Sequence, residues 1–333
     1  MSIASSFVRP ASCFSLVGSR LIRQQKYKLS SHINDNSNLW YEPQLMDHMM
    51  YRIKEVNNLP HNIQLINFTL NGQIVGKVTP KVAHKLCSTG TSVFELSTGT
   101  NQPTLTLSNS AGTTVEQRTK SVGRVMQQLY DEGYITGWRD ELYPVSTSFH
   151  SPPLFLIERA ASSLLGILEY GVHINGIVKN NEESNSNNHD NVRMWMARRS
   201  QRKDKFPGFL DHIVAGGQGF GLSLMDNVIK ECYEEAGIPP EITRQTIQPV
   251  GAISYENFGS GPIVNRQSPD EGVMNRVVLF CFDLTLPQDF VPTVNDGEVE
   301  NFFQWSLQDI AKSMDPQYDD PIKPNCYPGK KKK

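Results

Sequence analysis

The sequence predicts an α/β protein in which helices cover both faces of a mixed sheet, with further strands and helices ahead of it. Three observations predict this. Short strand-like runs alternate with amphipathic helical stretches through most of the chain. Asn275 to Leu284, NRVVLFCFDL, is a strong strand pattern. Between the strand patterns of the second half lies one helix that carries three carboxylates and follows a glycine-rich loop, Gly216 to Ile238.

In chain order, residues 38–55 read as a polar helix around LMDHMMYRI. Ile66 to Leu70 and Gln73 to Val78 flank Asn71-Gly72, a hairpin signal because both turn residues tolerate positive φ. Thr79-Pro80 opens a helix over KVAHKLC, with proline in its first turn. Val93 to Leu96 and Thr104 to Leu107 read as strands. Lys120 to Asp131 is a helix with Val122, Val125, Met126 and Leu129 on one face, closed by Gly133. Leu154 to Leu168 is expected as another helix. His173 to Val178 and Arg193 to Ala197 are strands around a polar insert, Lys179 to Asn191, expected as a disordered hairpin tip. Strands are expected at Pro249 to Ser254 and Phe302 to Trp305, a loop from Tyr255 to Asp270, and a last helix at Leu307 to Ser313.

Composition narrows the function. The net charge of −2 hides an asymmetry: residues 1–34 hold five basic residues and no acid, and Lys330 to Lys333 add four. The remainder has 34 acidic against 23 basic residues, a poor partner for a nucleic-acid polymer, whose binding is dominated by phosphate neutralisation. No apolar run approaches the ~18 residues of a membrane span. Five scattered cysteines and eight histidines show no metal spacing, which fits a reducing compartment. The acid-free, Ser- and Arg-rich 1–34 reads as an organelle transit peptide, with mitochondrion favoured over plastid and cytoplasm as the alternative. Oligomeric state is left open.

Glu231, Glu234 and Glu235 stand at i, i+3 and i+4, so they share one helix face. Like charges that close repel unless a cation lies between them. An oxygen-only set suits a hard divalent ion, Mg²⁺ above all with Mn²⁺ as a substitute, and leaves positions open for substrate phosphates.

This stretch resembles the Nudix box. Gly216, Glu231, Glu234, Glu235, Gly237 and Ile238 match its pattern in register. Leu222 and Lys230 stand where the pattern has Glu and Arg, a pair that braces the loop in the family. The flanks, from Met194-Trp195-Met196-Ala197-Arg198-Arg199 through Phe206 to Gly217, are similar to the Nudix subfamily related to the hydrolase half of fungal thiamine pyrophosphokinase fusions. So are Leu286 to Pro292, Asp296 to Glu300, Glu158-Arg159-Ala160-Ala161 and the FTLNGQIVGKVTP segment. The resemblance implies a Nudix α/β/α sandwich at 166–315, a small α+β extension domain at 38–165, and 316–333 as a tail cut short of the family's apolar C-terminal helix.

It also implies a Mg²⁺-dependent hydrolase of a small organic diphosphate. Damaged thiamine diphosphate is the first expectation and an oxidised nucleoside diphosphate of the 8-oxo-dGDP type the second. A non-catalytic Nudix binding module is the reading from another class. Glu231, Glu234 and Glu235 are expected as catalytic metal ligands, with the Gly216 carbonyl beside them. Glu298, Glu300 or Glu256 is expected to add a further carboxylate. Arg198, Arg199 and Lys230 are expected at phosphate or substrate, although strand alternation allows only one of the two arginines to face the site. Trp138, Trp195 and Trp305 are candidate stacking partners but read more readily as core.

Overall fold

The computed structural model describes residues 43–90, 92–97, 102–179, 191–203, 205–259, 272–295 and 297–327. The expected transit peptide, the polar insert apart from its end residues Lys179 and Asn191, and residues 260–270 of the expected loop lie outside them; Tyr255 to Gly259, expected in that loop, instead continue a strand.

The Asn71-Gly72 signal is realised as a tight hairpin between β1 (Ile66–Leu70) and β2 (Gln73–Val78), with φ of 53° at Asn71 and 76° at Gly72. With β3 (Phe94–Ser97) and β4 (Thr104–Leu107) they form a four-stranded sheet in the order β2-β1-β4-β3. α2 (Pro80–Thr89) starts where Thr79 accepts a hydrogen bond from the Val82 N–H. α3 (Val115–Asp131) begins five residues before its apolar stripe suggests, because Thr114 and Gln117 form a reciprocal capping box. Phe68, Leu86, Leu105, Met126 and Leu129 meet in one core.

The helix expected at Leu154 to Leu168 does not form. Phe155 and Ile157 alternate inward, so β6 (Phe155–Glu158) pairs antiparallel with β5 (Leu142–Val145). A 3₁₀ turn, Arg159–Leu164, follows, and the chain enters β7 (Leu168–Lys179) through Gly166 at φ 53°. A side chain at Gly166 would collide with the Lys77 carbonyl, so the close approach requires glycine.

The main sheet is mixed, in the order β11-β12-β7-β8-β13, where β8 is Val192–Arg199, β11 Ile247–Gly259, β12 Val273–Thr285 and β13 Val299–Ser306. β12 and β7 run parallel; the other neighbours are antiparallel. Short strands β9 (Leu210–His212) and β10 (Val214–Gly217) pair with β8 and β7. Alternation sorts the faces. Val172, Ile174, Val178 and Trp195 pack with Val228, Cys232 and Ala236 of α4 (Leu224–Ala236), next to α5 (Pro240–Thr246). Met194 and Met196 point the other way, onto α1 (Pro43–Val56) and α6 (Leu307–Lys312).

Two expected boundaries change as a result. Leu45 and Met49 of α1 bury themselves in this second core, not with the strands that follow them in sequence. Arg52 ties the helix down by donating to the carbonyls of Met314 (3.1 Å) and Asp315 (2.8 Å). The stretch expected as a tail is packed as far as Tyr327: Ile322, Cys326 and Tyr327 are all buried, and the Tyr327 hydroxyl donates to the Ser313 carbonyl at 2.5 Å.

Candidate functional site

Ser223 caps α4 by accepting from the Asp226 N–H at 3.1 Å, and Gly237 ends the helix at φ 63°. β10 lies alongside. On this frame Glu235 is buried, and its Oε2 accepts from the Ala215 N–H at 2.9 Å. Glu231 sits against Gly216, where any side chain on the glycine would overlap its carboxyl group. Glu234 is half exposed. The lack of a side chain at Gly171 on β7 lets the Gly216 carbonyl oxygen come close, 2.8 Å from where a Cβ would stand.

The loop brace is supplied without the pair that Leu222 and Lys230 replace. Buried Asn227 donates to the Gly217 carbonyl at 2.9 Å, and buried Gln218 donates to the Leu222 carbonyl at 2.9 Å. Lys230 turns to the box itself, 2.6 Å from Glu234 and 3.3 Å from Glu231.

Burial pushes the Glu235 carboxyl well above the usual range, against the help of the Ala215 N–H, and the charges of Glu231, Asp211 and Glu298 add to the push. Burial raises Glu231 as well, partly offset by Lys230. An acidic group set short of positive charge, with oxygen donors and a glycine cradle, fits a hard divalent cation.

Of the further carboxylates, Glu298 lines a small cleft with Glu235, Arg199 and Asp211. Burial works against its charge, yet contact with Lys203 holds its carboxyl below the usual range. Glu300 is exposed and accepts from the Gln201 N–H at 3.1 Å. Glu256 is drawn away from the box: it pairs with Arg276 at 2.8 Å and Lys77 at 3.8 Å.

The two arginines diverge as alternation requires. Arg198 makes a two-pronged pair with Asp320 at 2.7 and 2.8 Å and lies over Phe303, so it does not face the box. Arg199 faces the site, but all three of its nitrogens are in use, on Phe206 O, Asp211 and Lys205 O. Buried Asp211 also meets Lys323 at 3.2 Å and the Cys326 thiol at 2.8 Å. Burial opposes its charge, but Lys323, His212 and Arg199 hold its carboxyl well below the ordinary range. Donor atoms of His173, Asp211, His212 and Cys326 lie within 4.8 Å of one another, a second set with metal-ligand chemistry. A dication there would stand against the fixed positive charges of Arg199 and Lys323, so the oxygen-rich box is the better metal site.

A cavity of about 560 Å³ opens beside the box loop at Gly216 and Gly217. One wall comes from the sheet, with Tyr170, Tyr255 and Phe258; another comes from Tyr143 and Arg159, which precede β7. The tryptophans are elsewhere: Trp195 and Trp305 pack in the sandwich cores and Trp138 against Tyr130. Tyr143 and Arg159 escaped the sequence reading as site residues. The Glu158-Arg159-Ala160-Ala161 word was visible, but the helix assigned to it hid its direction. Among the described residues no helix is long and apolar enough to cross a membrane.

A family model described as a domain of unknown function, DUF4743, matches residues 48–169. Nudix hydrolase 20, chloroplastic, of Arabidopsis thaliana is 45% identical over 187 residues, covering 56% of this chain and 45% of that protein. Nudix hydrolase 24, chloroplastic, of the same plant is 36% identical over 272 residues, covering 80% of this chain and 68% of that protein. The chain thus spans less than half the length of the first relative and about two thirds of the second. Among solved structures, a NUDIX hydrolase from Alicyclobacillus acidocaldarius overlaps 48% of this chain and 88% of its own at 10% identity and a TM-score of 0.33. The preference for a mitochondrial address is overturned: both plant relatives carry chloroplastic names, which point to the plastid.

Proposed function

The chain belongs to the Nudix hydrolases, and from that premise we propose that it hydrolyses the phosphoanhydride bond of a small organic diphosphate, releasing a monophosphate and orthophosphate. The observation that carries this reading is the convergence of Glu231 on Gly216 and of Glu235 on the Ala215 N–H, neighbouring β10 residues that line the cavity. Glu231, Glu234 and Glu235, with the Gly216 carbonyl, would hold Mg²⁺. A divalent ion held by these groups would supply neutralisation of phosphate charge beside the box. The Ala215 N–H fixes one Glu235 oxygen, so the carboxylate keeps its direction with no rotamer search at the moment of reaction. Glu298 is the further carboxylate best supported, since it shares a cleft with Glu235.

The organic group is assigned to the cavity between the extension segment and the sheet. Its aromatic lining suits a flat heterocycle. A damaged thiamine diphosphate is the preferred substrate, in line with the resemblance to the thiamine pyrophosphokinase-fusion subfamily, and an 8-oxo-dGDP-type diphosphate is the second.

Orthophosphate release from a panel of these diphosphates, with Mg²⁺ and with EDTA, tests the reading. EDTA-sensitive release is expected, greatest with the thiamine analogues. Binding without release from any diphosphate would make the chain a non-catalytic Nudix module.

A further inference from the structure

Four cationic side chains line the cavity: Arg159, Arg199, Lys205 and Lys323. They outnumber its acids, Glu55 and Glu169, so the space beside an acidic box is itself suited to an anion. Two of the four are spent on the protein. Every nitrogen of Arg199 has a partner, and Lys323 is paired with Asp211. Arg159 differs. Among the described residues its guanidinium donates one side-chain hydrogen bond, from Nη1 to Glu141 Oε2 at 2.7 Å. A guanidinium carries five N–H donors, so four are left for a ligand.

The backbone places this group deliberately. Glu158 is buried, and its Oε1 accepts from the Arg139 N–H at 2.9 Å and the Ala160 N–H at 3.1 Å, clamping the turn that starts at Arg159. The Arg159 N–H donates to the Glu141 carbonyl at 2.8 Å, and its own carbonyl accepts from Ser162 at 2.8 Å. With the turn held on both sides, the side chain extends over the Tyr143 ring, 5.6 Å from its centroid. It reaches the box loop there: a methyl placed on Gly217 would strike the Tyr143 hydroxyl and stand 3.4 Å from Arg159 Cζ. Gly217 follows Gly216, against which Glu231 lies.

We propose that Arg159, reaching in from the segment ahead of β7, is a phosphate-binding residue of this site and grips the diphosphate opposite the carboxylate box. The inference rests on the hydrolase reading for the identity of the site. The planar fork of arginine matches two phosphate oxygens at once, which a lysine cannot do. With carboxylate-held metal on one side and Arg159 on the other, the diphosphate is fixed along the line from α4 to the cavity, and its organic end points at Tyr170, Tyr255 and Phe258. Arg198 and Arg199, the arginines that the sequence singled out, are both engaged elsewhere.

Inorganic pyrophosphate is the probe, because it carries the anion without an organic group. Calorimetric titration with Mg²⁺ present is run on the full chain and on Arg159→Ala and Arg159→Lys, alongside Mg²⁺ titrated alone and a thermal melt. Loss of a charge-assisted fork weakens pyrophosphate binding about ten- to a hundredfold in Arg159→Ala. Arg159→Lys recovers part of it, and Mg²⁺ affinity and melting temperature stay at the wild-type value. Unchanged pyrophosphate affinity in Arg159→Ala overturns the assignment. An equal loss of Mg²⁺ affinity or of stability overturns it too, because the role is then structural. Absence of pyrophosphate binding to the wild-type chain also overturns it. Failure of the hydrolase reading shows differently: wild type binds Mg²⁺-pyrophosphate, the Arg159 variants weaken it as expected, and no diphosphate is turned over.

Discussion

Glu235 and Asp211 are both buried carboxylates, close enough for the charge of one to act on the other, and they end in opposite states. Asp211 has Arg199 at 2.8 Å and Lys323 at 3.2 Å and is held firmly ionised. Glu235 has a single backbone N–H and three acidic neighbours, and its carboxyl is pushed far up. Burial is common to both, so burial does not separate structure from chemistry here. What separates them is whether the chain supplies the counter-charge itself. Asp211 is a finished ion-pair centre that fixes β9 to the C-terminal segment. Glu235 has no such counter-charge from the chain, and carboxylates perturbed in this way cluster at functional sites.

The largest effect should come from breaking the unfinished centre. Glu235→Gln is expected to lower metal-dependent turnover about a thousandfold, the roughly 4 kcal/mol that metal-mediated charge stabilisation supplies. Glu234→Gln should do the same to a similar degree. Far-UV circular dichroism should be unchanged in both, since neither variant alters the Ser223 and Gly237 caps or the apolar face of α4. Wild-type rates for Glu235→Gln would make it a second structural carboxylate and erase the contrast.

Breaking the finished centre should cost stability. Asp211→Asn leaves Arg199 and Lys323 buried without their anion and is expected to destabilise the fold by about 3–5 kcal/mol, read from denaturant unfolding. A loss below about 1 kcal/mol would show that the two cations find other partners and that Asp211 is no anchor.

The smallest effect concerns pH and sharpens the contrast. A carboxylate raised in the fold contributes stability that is present below its unfolded pKa of about 4.3 and is lost as pH rises through the folded value. For metal-free protein, Glu235 and Glu231 therefore work against the fold as pH climbs, while depressed Asp211 gives stability above an unfolded pKa of about 3.9 and loses it only in strong acid. On the proposed reading Mg²⁺ binds the ionised box, so the melting-temperature gain on adding Mg²⁺ should grow from pH 5 to pH 8. The stabilisation behind that gain approaches about 2.7 kcal/mol at a hundredfold excess over Kd. A gain that is flat across this range, or one that survives in Glu235→Gln, would contradict the link.

Much of this was legible locally. Asn71-Gly72 announced its hairpin because positive φ is a property of the two residues themselves. The helical spacing of Glu231, Glu234 and Glu235 is equally local, and Ser223 and Gly237 bound the helix as their chemistry dictates. The misses are non-local. Phe155-Leu156-Ile157 suits helix or strand, and pairing with β5 decided it. Alternation said that one of Arg198 and Arg199 faces the site, but only Asp320, 122 residues on, shows which one turns away. The stripe of α1 gave no sign that its partners lie beyond residue 190. Arg159 was in plain view as a letter; its reach depends on Glu158 clamping a turn against Arg139.

The arrangement of α1 also bears on how the molecule is made. Its apolar stripe packs on Ile310, Ile322 and Tyr327, and Arg52 stacks 5.0 Å from the Tyr327 ring. A ribosome delivers α1 early and Tyr327 more than 250 residues later, a wait of tens of seconds at roughly 5–20 residues per second. Through that interval the surface that covers Leu45 and Met49 is incomplete, because Met194, Met196 and Leu210 arrive before Ile310, Ile322 and Tyr327 do. The first helix of the described chain is thus among the last to dock, and while translation runs it is a ready handle for chaperones.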